Sequence, residues 1–375
     1  MKKMLLLSII LIFSAKSQAI NVTYLSQTIN ITPYWHKVYS ITKTAAKSLD
    51  INLTIIEGQG HRIYQADLID ELIKVATKPD LLIFHAYPLT SIRTFSTLEE
   101  AKIPFVTISD FENETTLPIS RQVGLPQMKF KYWLAEHAID DNRGAYLLAN
   151  NLIKQAEEKN IKQNGSANKL KILALSGDFI HESIERSKGV LKSASQNDNV
   201  DLVQNINANW EYESAKGKFK ALYSRHKGVD IVWASSDVMA LGALKGAIEL
   251  GLTPNNDIFI GGFDWDHDAI EKIKQRQLSA SAGGQFYNIA WLLVRVYDHF
   301  NKQSLFSKKT AQVTTDYTII DQHNLASYEK LIDVDKLSEV DFRCFSKTYT
   351  KEPTYNFSLD KLLKQLEQPN QKVCL

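Results

Sequence analysis

The chain has 375 residues, of which 44% are hydrophobic and 23% are charged, and its formal net charge at pH 7 is +2. This composition is ordinary for a globular protein, and the near-neutral charge gives no electrostatic reason to expect nucleic-acid binding. A chain of this length is expected to fold into two domains, each with a full hydrophobic core.

The N-terminus has the pattern of a secretory signal peptide. Two lysines precede a short apolar run, Met4–Phe13, and small and polar residues then lead to Ala19. We expect cleavage after Ala19, so that residues 1–19 are the signal peptide. An uncleaved membrane anchor is the alternative, but the apolar run is shorter than the ~18–20 residues that a membrane span needs. Removing this segment with its three lysines changes the formal net charge from +2 to −1.

The first predicted elements are strands that alternate with helices. Short apolar runs indicate strands, and apolar residues spaced three and four apart indicate helices. The predicted strands are 20–25, 51–56, 81–84 and 103–108, and the predicted helices are 38–49, 69–75 and 90–101. Residues 111–133 have no strong periodicity, so we expect a surface excursion or a domain border there.

A second series of strands and helices follows a predicted helix, 143–158, and a polar loop, 160–169. Its predicted strands are 170–175, 200–206, 231–233 and a run from 258, and its predicted helices are 182–195, 213–226 and 239–250. An apolar helix over 286–300 and a strand over 312–320 come next. The tail from 328 is charged and irregular, apart from a helical pattern at 359–366.

Two aspartates end strands of this second series. Asp237 follows Ser236 after the strand at 231–233, and Asp264 ends the segment Gly262-Phe263-Asp264. Alternating strands and helices indicate a parallel, right-handed α/β sheet, in which ligands bind beyond the carboxyl ends of strands. Both aspartates are therefore candidate ligand contacts, with capping of the following helix as the alternative role.

The two cysteines, Cys344 and Cys374, lie near the end of the sequence. We expect them to form a disulfide in an oxidising compartment, with two free thiols as the alternative. No metal-binding pattern is present, and His181-Glu182 stands alone. The sequence also lacks a nucleophile elbow and a phosphate-binding loop, so we expect no cofactor and no enzymatic activity.

Six short segments, taken in order, resemble the sugar-binding family of periplasmic type I solute-binding proteins, whose lobes are shared with LacI-type regulators. The segments are Thr32-Pro33-Tyr34-Trp35, Ile103-Pro104-Phe105-Val106, Asp141-Asn142 with Gly144, Arg186-Ser187-Lys188-Gly189, Asp237 with Met239–Ala243, and Gly262-Phe263-Asp264. Each segment is weak alone, whereas the ordered set is specific. A repressor is not expected, because no helix-turn-helix precedes the first strand.

The resemblance implies two Rossmann-like α/β lobes, each a parallel sheet flanked by helices, that are joined by three crossings and close on a ligand. The implied N-terminal lobe is 20–136 plus 284–308, and the implied C-terminal lobe is 137–283 plus 309–328. Residues 329–375 would form a C-terminal extension, either as a docking surface or as a structural strap.

The resemblance also implies a ligand site in the cleft between the lobes. A sugar needs aromatic platforms for its apolar faces and charged groups for its hydroxyl rim. The implied ligand contacts are Tyr34, Trp35, Ser109, Asp110, Arg186, Trp210, Ser236, Asp237 and Asp264. Two positions depart from the family pattern: Ser236 replaces a common Asn, and Ser109-Asp110 replaces a pair that usually ends in Arg.

The implied function is capture of a small sugar-like or polyol ligand by a periplasmic monomer, followed by delivery to an inner-membrane ABC importer. The alternative is a periplasmic sensing protein that docks on a membrane sensor kinase or chemoreceptor. The segment Ser236-Asp237 and the position of Trp35 also resemble the family's quorum-signal receptors.

Overall fold

The computed structural model describes residues 19–27, 32–58, 61–87, 89–108, 122–164, 169–303, 312–315, 317–367 and 374. The signal-peptide prediction for 1–19 therefore lies outside the described residues, except for Ala19. The strands are β1 (Ile20–Ser26), β2 (Ile51–Glu57), β3 (Leu81–His85), β4 (Phe105–Ile108), β5 (Trp133–Ile139), β6 (Leu170–Ser176), β7 (Val200–Asn207), β8 (Ile231–Ala234), β9 (Phe259–Phe263), β10 (Ala280–Gly283), β11 (Gln312–Thr315) and β12 (Thr318–Asp321).

The helices flank these strands on both faces. They are α1 (Pro33–Ser48), α2 (Arg62–Leu72), α3 (Ser91–Ala101), α4 (Asp141–Asn164), α5 (His181–Ser195), α6 (Tyr212–Arg225), α7 (Asp237–Glu249), α8 (His267–Lys274), α9 (Asn288–Phe300), α10 (Leu325–Ile332), α11 (Val334–Leu337), α12 (Lys347–Thr350) and α13 (Leu359–Glu367).

Two six-stranded sheets form the two lobes. The first sheet has the order β11-β5-β4-β3-β1-β2, and the second has the order β12-β10-β9-β8-β6-β7. Every pairing in the first sheet is parallel, and in the second sheet only β12 runs antiparallel, beside β10. Strands such as β3 and β8 are buried along their whole length, as expected when helices cover both faces. The predicted fold class, two parallel α/β lobes, is confirmed.

The chain passes between the two sheets three times. It leaves the first sheet between β5 and α4, returns after β10 through Gly284 into α9, and crosses again between β11 and β12. The predicted single strand over 312–320 is wrong, because its first half pairs with β5 in the first sheet and its second half pairs with β10 in the second. The assignment of 309–328 to the C-terminal lobe is therefore wrong for Gln312–Thr315.

The strand β5 is an element that the sequence pattern missed. Within it, Glu136 and His137 are almost fully buried, at 2% and 1% exposure. These two ionisable residues interrupt the apolar run by which a central strand is normally recognised in a sequence. Because β5 extends to Ile139, the first lobe continues past the expected boundary at 136.

The C-terminal extension is a strap that packs mainly on the first lobe. Asp298 of α9 is fully buried and accepts hydrogen bonds from the Lys347 and Thr348 backbone N–H groups, at 2.7 and 3.0 Å, and from the Tyr355 hydroxyl, at 3.1 Å. The Trp291 ring of the same helix stacks on Phe357, with ring centroids 5.0 Å apart. The predicted disulfide is confirmed, since Cys344 and Cys374 are bonded.

The beginning of this strap also contacts the second lobe. Glu329 of α10 forms an ion pair with Lys274 of α8, with 2.9 Å between Oε1 and Nζ. The Tyr328 ring lies 6.0 Å from the Trp265 ring, centroid to centroid. The start of the extension therefore contacts the second lobe beside the crossings, as a structural strap would.

Candidate ligand-binding cleft

Arg186 is the centre of a buried polar cluster where the first and third crossings meet. Its Nε donates to Asp141 Oδ1 at 2.7 Å, and its Nη2 donates to the Tyr317 hydroxyl at 2.9 Å. Its Nη1 donates to the carbonyl of Ser235, at the carboxyl end of β8, at 2.6 Å. A guanidinium has five N–H donors, so two remain for a ligand.

The other members of this cluster hold the guanidinium in place. The Tyr317 hydroxyl donates to Asp141 Oδ1 at 2.6 Å, which closes a triangle of hydrogen bonds. The guanidinium also lies over the Phe263 ring, 4.3 Å from its centroid. A planar cation fixed by a carboxylate, a phenol and an aromatic face is oriented before any ligand arrives.

Asp264 directly follows β9 and has an unusual backbone conformation, with φ of 104°. Its Oδ1 accepts a hydrogen bond from Gln285 Nε2 at 2.7 Å, and its side chain is buried. Burial raises the pKa of Asp264 to about 7, while the Arg186 and Lys37 cations hold it below the value that burial alone would give. A carboxyl group in this state can accept or donate a hydrogen bond near neutral pH.

Lys37 of α1 supports the loop that carries Asp264. Its Nζ donates to the backbone carbonyls of Asp264 and Trp265, at 3.0 and 2.6 Å, and lies 4.6 Å from the centroid of the Phe286 ring. Trp265 also has a positive φ, 51°, and a Cβ on Gly283 would lie 2.5 Å from the Trp265 ring. The first lobe therefore fixes a loop of the second lobe through one buried ammonium group.

Asp237 is held by hydrogen bonds to its own lobe, and its part in ligand binding stays a prediction. It is fully buried, and its two oxygens accept hydrogen bonds from Ser281 Oγ, at 2.9 and 2.8 Å, and from the Asp266 N–H, at 2.9 Å. A Cβ on Gly262 would lie 2.5 Å from Asp237 Oδ1, so only glycine fits beside it. Its neighbour Ser236 caps α7 by accepting the Met239 N–H at 3.3 Å.

Trp210 lies beside Arg186 on the second lobe. It is half-buried, with φ of 61°, and its ring centroid is 5.9 Å from the guanidinium carbon. A Cβ on Gly177 would lie 2.1 Å from this ring, so the residue after β6 must be glycine for Trp210 to occupy this position. The indole therefore covers the end of β6 next to the Arg186 cluster.

Tyr34 and Trp35 start α1 on the first lobe. Both are half-buried, and their ring centroids lie 5.2 Å apart in an edge-to-face arrangement. Burial raises the pKa of the Tyr34 phenol, and the Asp264 carboxylate raises it further while Arg186 lowers it. Tyr34 is thus close enough to the second lobe for its pKa to be shifted by charged groups there. This is the position expected of a residue that lines a cleft between the lobes.

Glu182 was not among the predicted contacts, although it lies between the lobes. Its Oε1 accepts a hydrogen bond from Gln27 Nε2 at 3.2 Å and lies 3.8 Å from His85 Nδ1. Gln27 follows β1 and His85 ends β3, so the carboxyl-end rule for strands was the signal that would have found them. Nearby, burial and the Glu182 carboxylate raise the pKa of the Tyr87 phenol to about 12.

Three further points concern the predicted site. Ser109 and Asp110 lie outside the described residues, so their part in the site stays a prediction. Within the described residues, no group of three or more His, Cys, Asp or Glu side chains is arranged to hold a metal ion. Among the helices of the same residues, none has the length and apolar character needed to span a membrane.

Two parallel α/β lobes around a polar and aromatic cleft define a two-lobed ligand-binding protein. The sequence model of the periplasmic binding protein domain matches residues 22–302. The chain therefore belongs to the periplasmic binding protein family, which confirms the resemblance seen in the six segments. This is a family of binding proteins, in agreement with the expectation that the chain is not an enzyme.

Curated relatives match only part of the chain. The HTH-type transcriptional regulator MalR of Clostridium butyricum is 30% identical over 156 residues, which are 41% of this chain and 43% of MalR. The ribose import binding protein RbsB of Bacillus subtilis strain 168 is 33% identical over 101 residues, which are 27% of this chain and 31% of RbsB. The chain thus spans less than half the length of these relatives.

Solved structures share the fold over most of the chain. A periplasmic sugar-binding protein from Pseudomonas fluorescens has a TM-score of 0.77 and 20% identity, covering 92% of this chain and 99% of its own. A solute-binding protein from Actinobacillus succinogenes 130z with bound D-allose has a TM-score of 0.68 and 21% identity, covering 82% and 100%. One from Bacillus halodurans C-125 with bound myo-inositol has a TM-score of 0.64 and 16% identity, covering 84% and 99%.

Proposed function

We propose that the protein captures a small sugar-like or polyol ligand between its two lobes. The observation that carries the proposal is the Arg186 cluster, a guanidinium held by Asp141 and Tyr317 with two donors to spare. Next to it Asp264 supplies a carboxyl group, so donors and an acceptor for hydroxyl groups lie side by side. Hydrogen bonds to ionised groups are stronger than those between neutral groups, which suits a ligand with many hydroxyls.

Aromatic rings on both lobes would hold the apolar faces of such a ligand. Trp210 lies next to Arg186 on the second lobe, and Tyr34 and Trp35 begin α1 on the first. A sugar between these rings would contact both lobes at once. Contacts to both lobes favour the closed arrangement, because a ligand shifts an equilibrium by its differential affinity for the two states.

We further propose that the closed, loaded protein delivers its ligand to an inner-membrane ABC permease from the periplasm. Family membership, the signal-peptide pattern and fold relatives described as ABC transporter solute-binding proteins support this. A pull-down from inner-membrane extracts with the ligand-loaded protein tests the partner. Recovery of permease subunits is the expected result, whereas recovery of a sensor kinase or a chemoreceptor would point to sensing instead.

A screen of intrinsic tryptophan fluorescence and melting temperature against pentoses, hexoses, amino sugars and inositols tests the binding proposal. On this proposal Trp35 and Trp210 line the cleft, so a ligand that binds there should change the fluorescence. We expect at least one compound to shift both signals. Absence of any response across the panel would contradict the proposal.

A further inference from the structure

Glu182 places a carboxylate at the start of α5, where it meets the first lobe. Its side chain keeps 24% exposure and accepts the Gln27 hydrogen bond at 3.2 Å. The Glu182 carboxylate also contributes to a raised pKa of the Tyr34 and Tyr87 phenols in the first lobe and of Asp141 in the second. Residues of both lobes therefore surround this carboxylate, which places it inside the cleft and not on an outer face.

Cations near the cleft are committed to other partners. The Arg186 guanidinium is paired with Asp141, and the Lys37 ammonium donates to two backbone carbonyls. His85 Nδ1 lies 3.8 Å from Glu182 Oε1, but burial, and to a smaller extent the nearby His181, lower the pKa of His85 to about 3, so this imidazole is neutral at physiological pH. Among the described residues, no lysine or arginine forms an ion pair with Glu182.

The charged groups of the cleft leave one carboxylate without a permanent counter-ion. Asp141 is paired with Arg186, and a pKa of about 7 leaves Asp264 partly protonated at neutral pH, so Glu182 is the cleft carboxylate that has no Lys or Arg partner among the described residues. A partly buried carboxylate without a counter-ion is costly, and a ligand that brings a positive charge removes that cost. The charge balance therefore favours a cationic ligand over a neutral one.

An independent observation also indicates a ligand that donates hydrogen bonds. Gln285 is 1% exposed, and its amide nitrogen is bound to Asp264. Its carbonyl oxygen has no hydrogen-bond partner among the described residues. A buried acceptor without a donor is rare in folded proteins. Next to Asp264, this oxygen is available to a donor that a ligand supplies.

Resting on the sugar-binding function proposed above, we infer that the cleft selects an amino sugar or amino-polyol, and that Glu182 is the specificity residue that binds its ammonium group. An ammonium carries three donors and no acceptor, so it can pair with the Glu182 carboxylate. The neutral ring hydroxyls of the same ligand would bind the Arg186 cluster. Charge would thus be recognised at one end of the cleft and hydroxyl geometry at the other.

The test is isothermal titration calorimetry with matched sets of sugars. Each set contains a neutral sugar, its amino analogue and the N-acetylated amino analogue, for example glucose, glucosamine and N-acetylglucosamine, with the galactose set and amino-inositols alongside. We expect one amino compound to bind at least ten times more tightly than its neutral partner. N-acetylation, which removes the charge, should abolish this preference.

Glu182→Gln should remove the preference for the amine over its neutral partner, because the variant amide carries no charge to pair with the ammonium. Glu185→Gln is the matched control, because Glu185 lies on the same helix and pairs with Lys188. If a neutral sugar binds as well as its amine in every set, the inference is overturned and the sugar-binding function stands. If no compound binds, both fail. The comparison of amine with acetamide uses the unmutated protein, so it does not depend on the folding of a variant.

Discussion

Lys37 of the first lobe and Trp265 of the second are joined by a hydrogen bond of 2.6 Å from Nζ to the backbone carbonyl. The same ammonium holds the carbonyl of Asp264, and both of these residues have left-handed backbone conformations. Such conformations cost about 1–3 kcal/mol each and persist only where neighbours hold them. The loop that presents Asp264 is therefore held in place by a residue of the opposite lobe.

Lys37→Met should weaken binding of the tightest compound of the sugar panel by at least tenfold, because the loop loses its support. Loss of the cation also raises the pKa of Asp264 further. The ionised carboxylate is the acceptor for ligand hydroxyls or ammonium groups, so affinity falls as the pH drops through this pKa. The pH at which affinity is half lost should therefore move upward in the variant. Titrations at pH 5.5–8.5 measure it.

The control for this change is Lys43→Met, since Lys43 is exposed on the same helix. It should leave both the affinity and its pH profile unchanged. If the Lys37→Met protein binds the ligand more weakly and yet keeps the pH profile of the wild type, that result would contradict an effect of Lys37 on the pKa of Asp264. It would leave Lys37 only the role of supporting the loop.

The buried pair of Arg186 and Asp141 should respond to mutation in a strongly non-additive way. Removal of one partner leaves the other charge buried without compensation, which typically costs 3–5 kcal/mol. Arg186→Met and Asp141→Asn should each lower the free energy of unfolding by about this amount, and the double variant should lose less than the sum. Urea unfolding of the four proteins gives the coupling free energy, and additive losses would speak against a tight pair.

Asp264 should make stability depend on pH in the direction opposite to that of an aspartate whose pKa falls on folding. Its pKa rises from 3.8 in the unfolded chain to about 7 in the folded protein, so the folded state holds its proton more tightly. The stability it contributes is present at low pH and is lost as the pH rises from about 4 to 7. The loss is on the order of 2–4 kcal/mol. Asp264→Asn should lack this decline in urea unfolding measured across the same range.

His85 should act in the opposite direction over an overlapping range. Its pKa falls from 6.5 to about 3 on folding, so the unfolded chain binds a proton that the folded protein does not. Stability should therefore fall as the pH drops from about 6.5 towards 3. In the wild type this partly offsets the effect of Asp264, and His85→Gln should expose the Asp264 decline more clearly. A His85→Gln protein with an unchanged profile would mean that this imidazole does not titrate on unfolding.

The disulfide between Cys344 and Cys374 closes a segment with a sequence separation of 30. Loop-closure entropy predicts a stabilisation of about 3–4 kcal/mol. The paired serine variant should melt at a lower temperature, and a reductant should lower the melting temperature of the wild type but not of the variant. Ligand affinity should change little, because the extension packs mainly on α1 and α9 and not in the cleft.

How far the sequence predicts this site depends on how local each contact is. Arg186 and Asp264 belong to short motifs, and the structure places both at the crossings. Tyr317 binds Arg186 across 131 positions of the chain, and its hydrogen bond follows from the third crossing, which no local pattern reveals. In the sequence, Glu182 is an isolated acidic residue beside His181, and no motif marks it as a site residue. Its role depends on Gln27 and His85, which approach it from the other lobe.

For Asp237, a local pattern indicated a candidate site residue but not the residues that bind its side chain. Its position after a strand suited both a ligand contact and a helix cap, and the motif favoured neither. Both carboxylate oxygens are instead taken by Ser281 and by the backbone of Asp266, two partners that arrive from later in the chain. Likewise, the strand over 312–320 divides between two sheets because the chain changes lobes within it, whereas its residue pattern continues without a break.

Titration calorimetry of the best panel compound with the wild type, Arg186→Met and Lys188→Met tests the central claim, that a sugar-like ligand binds at the Arg186 cluster. Lys188 is the matched control, since it lies on the same helix with an exposed side chain. The account predicts saturable binding by the wild type and by Lys188→Met, and a loss of at least thirtyfold in Arg186→Met. Equal affinities of Arg186→Met and the wild type would contradict it.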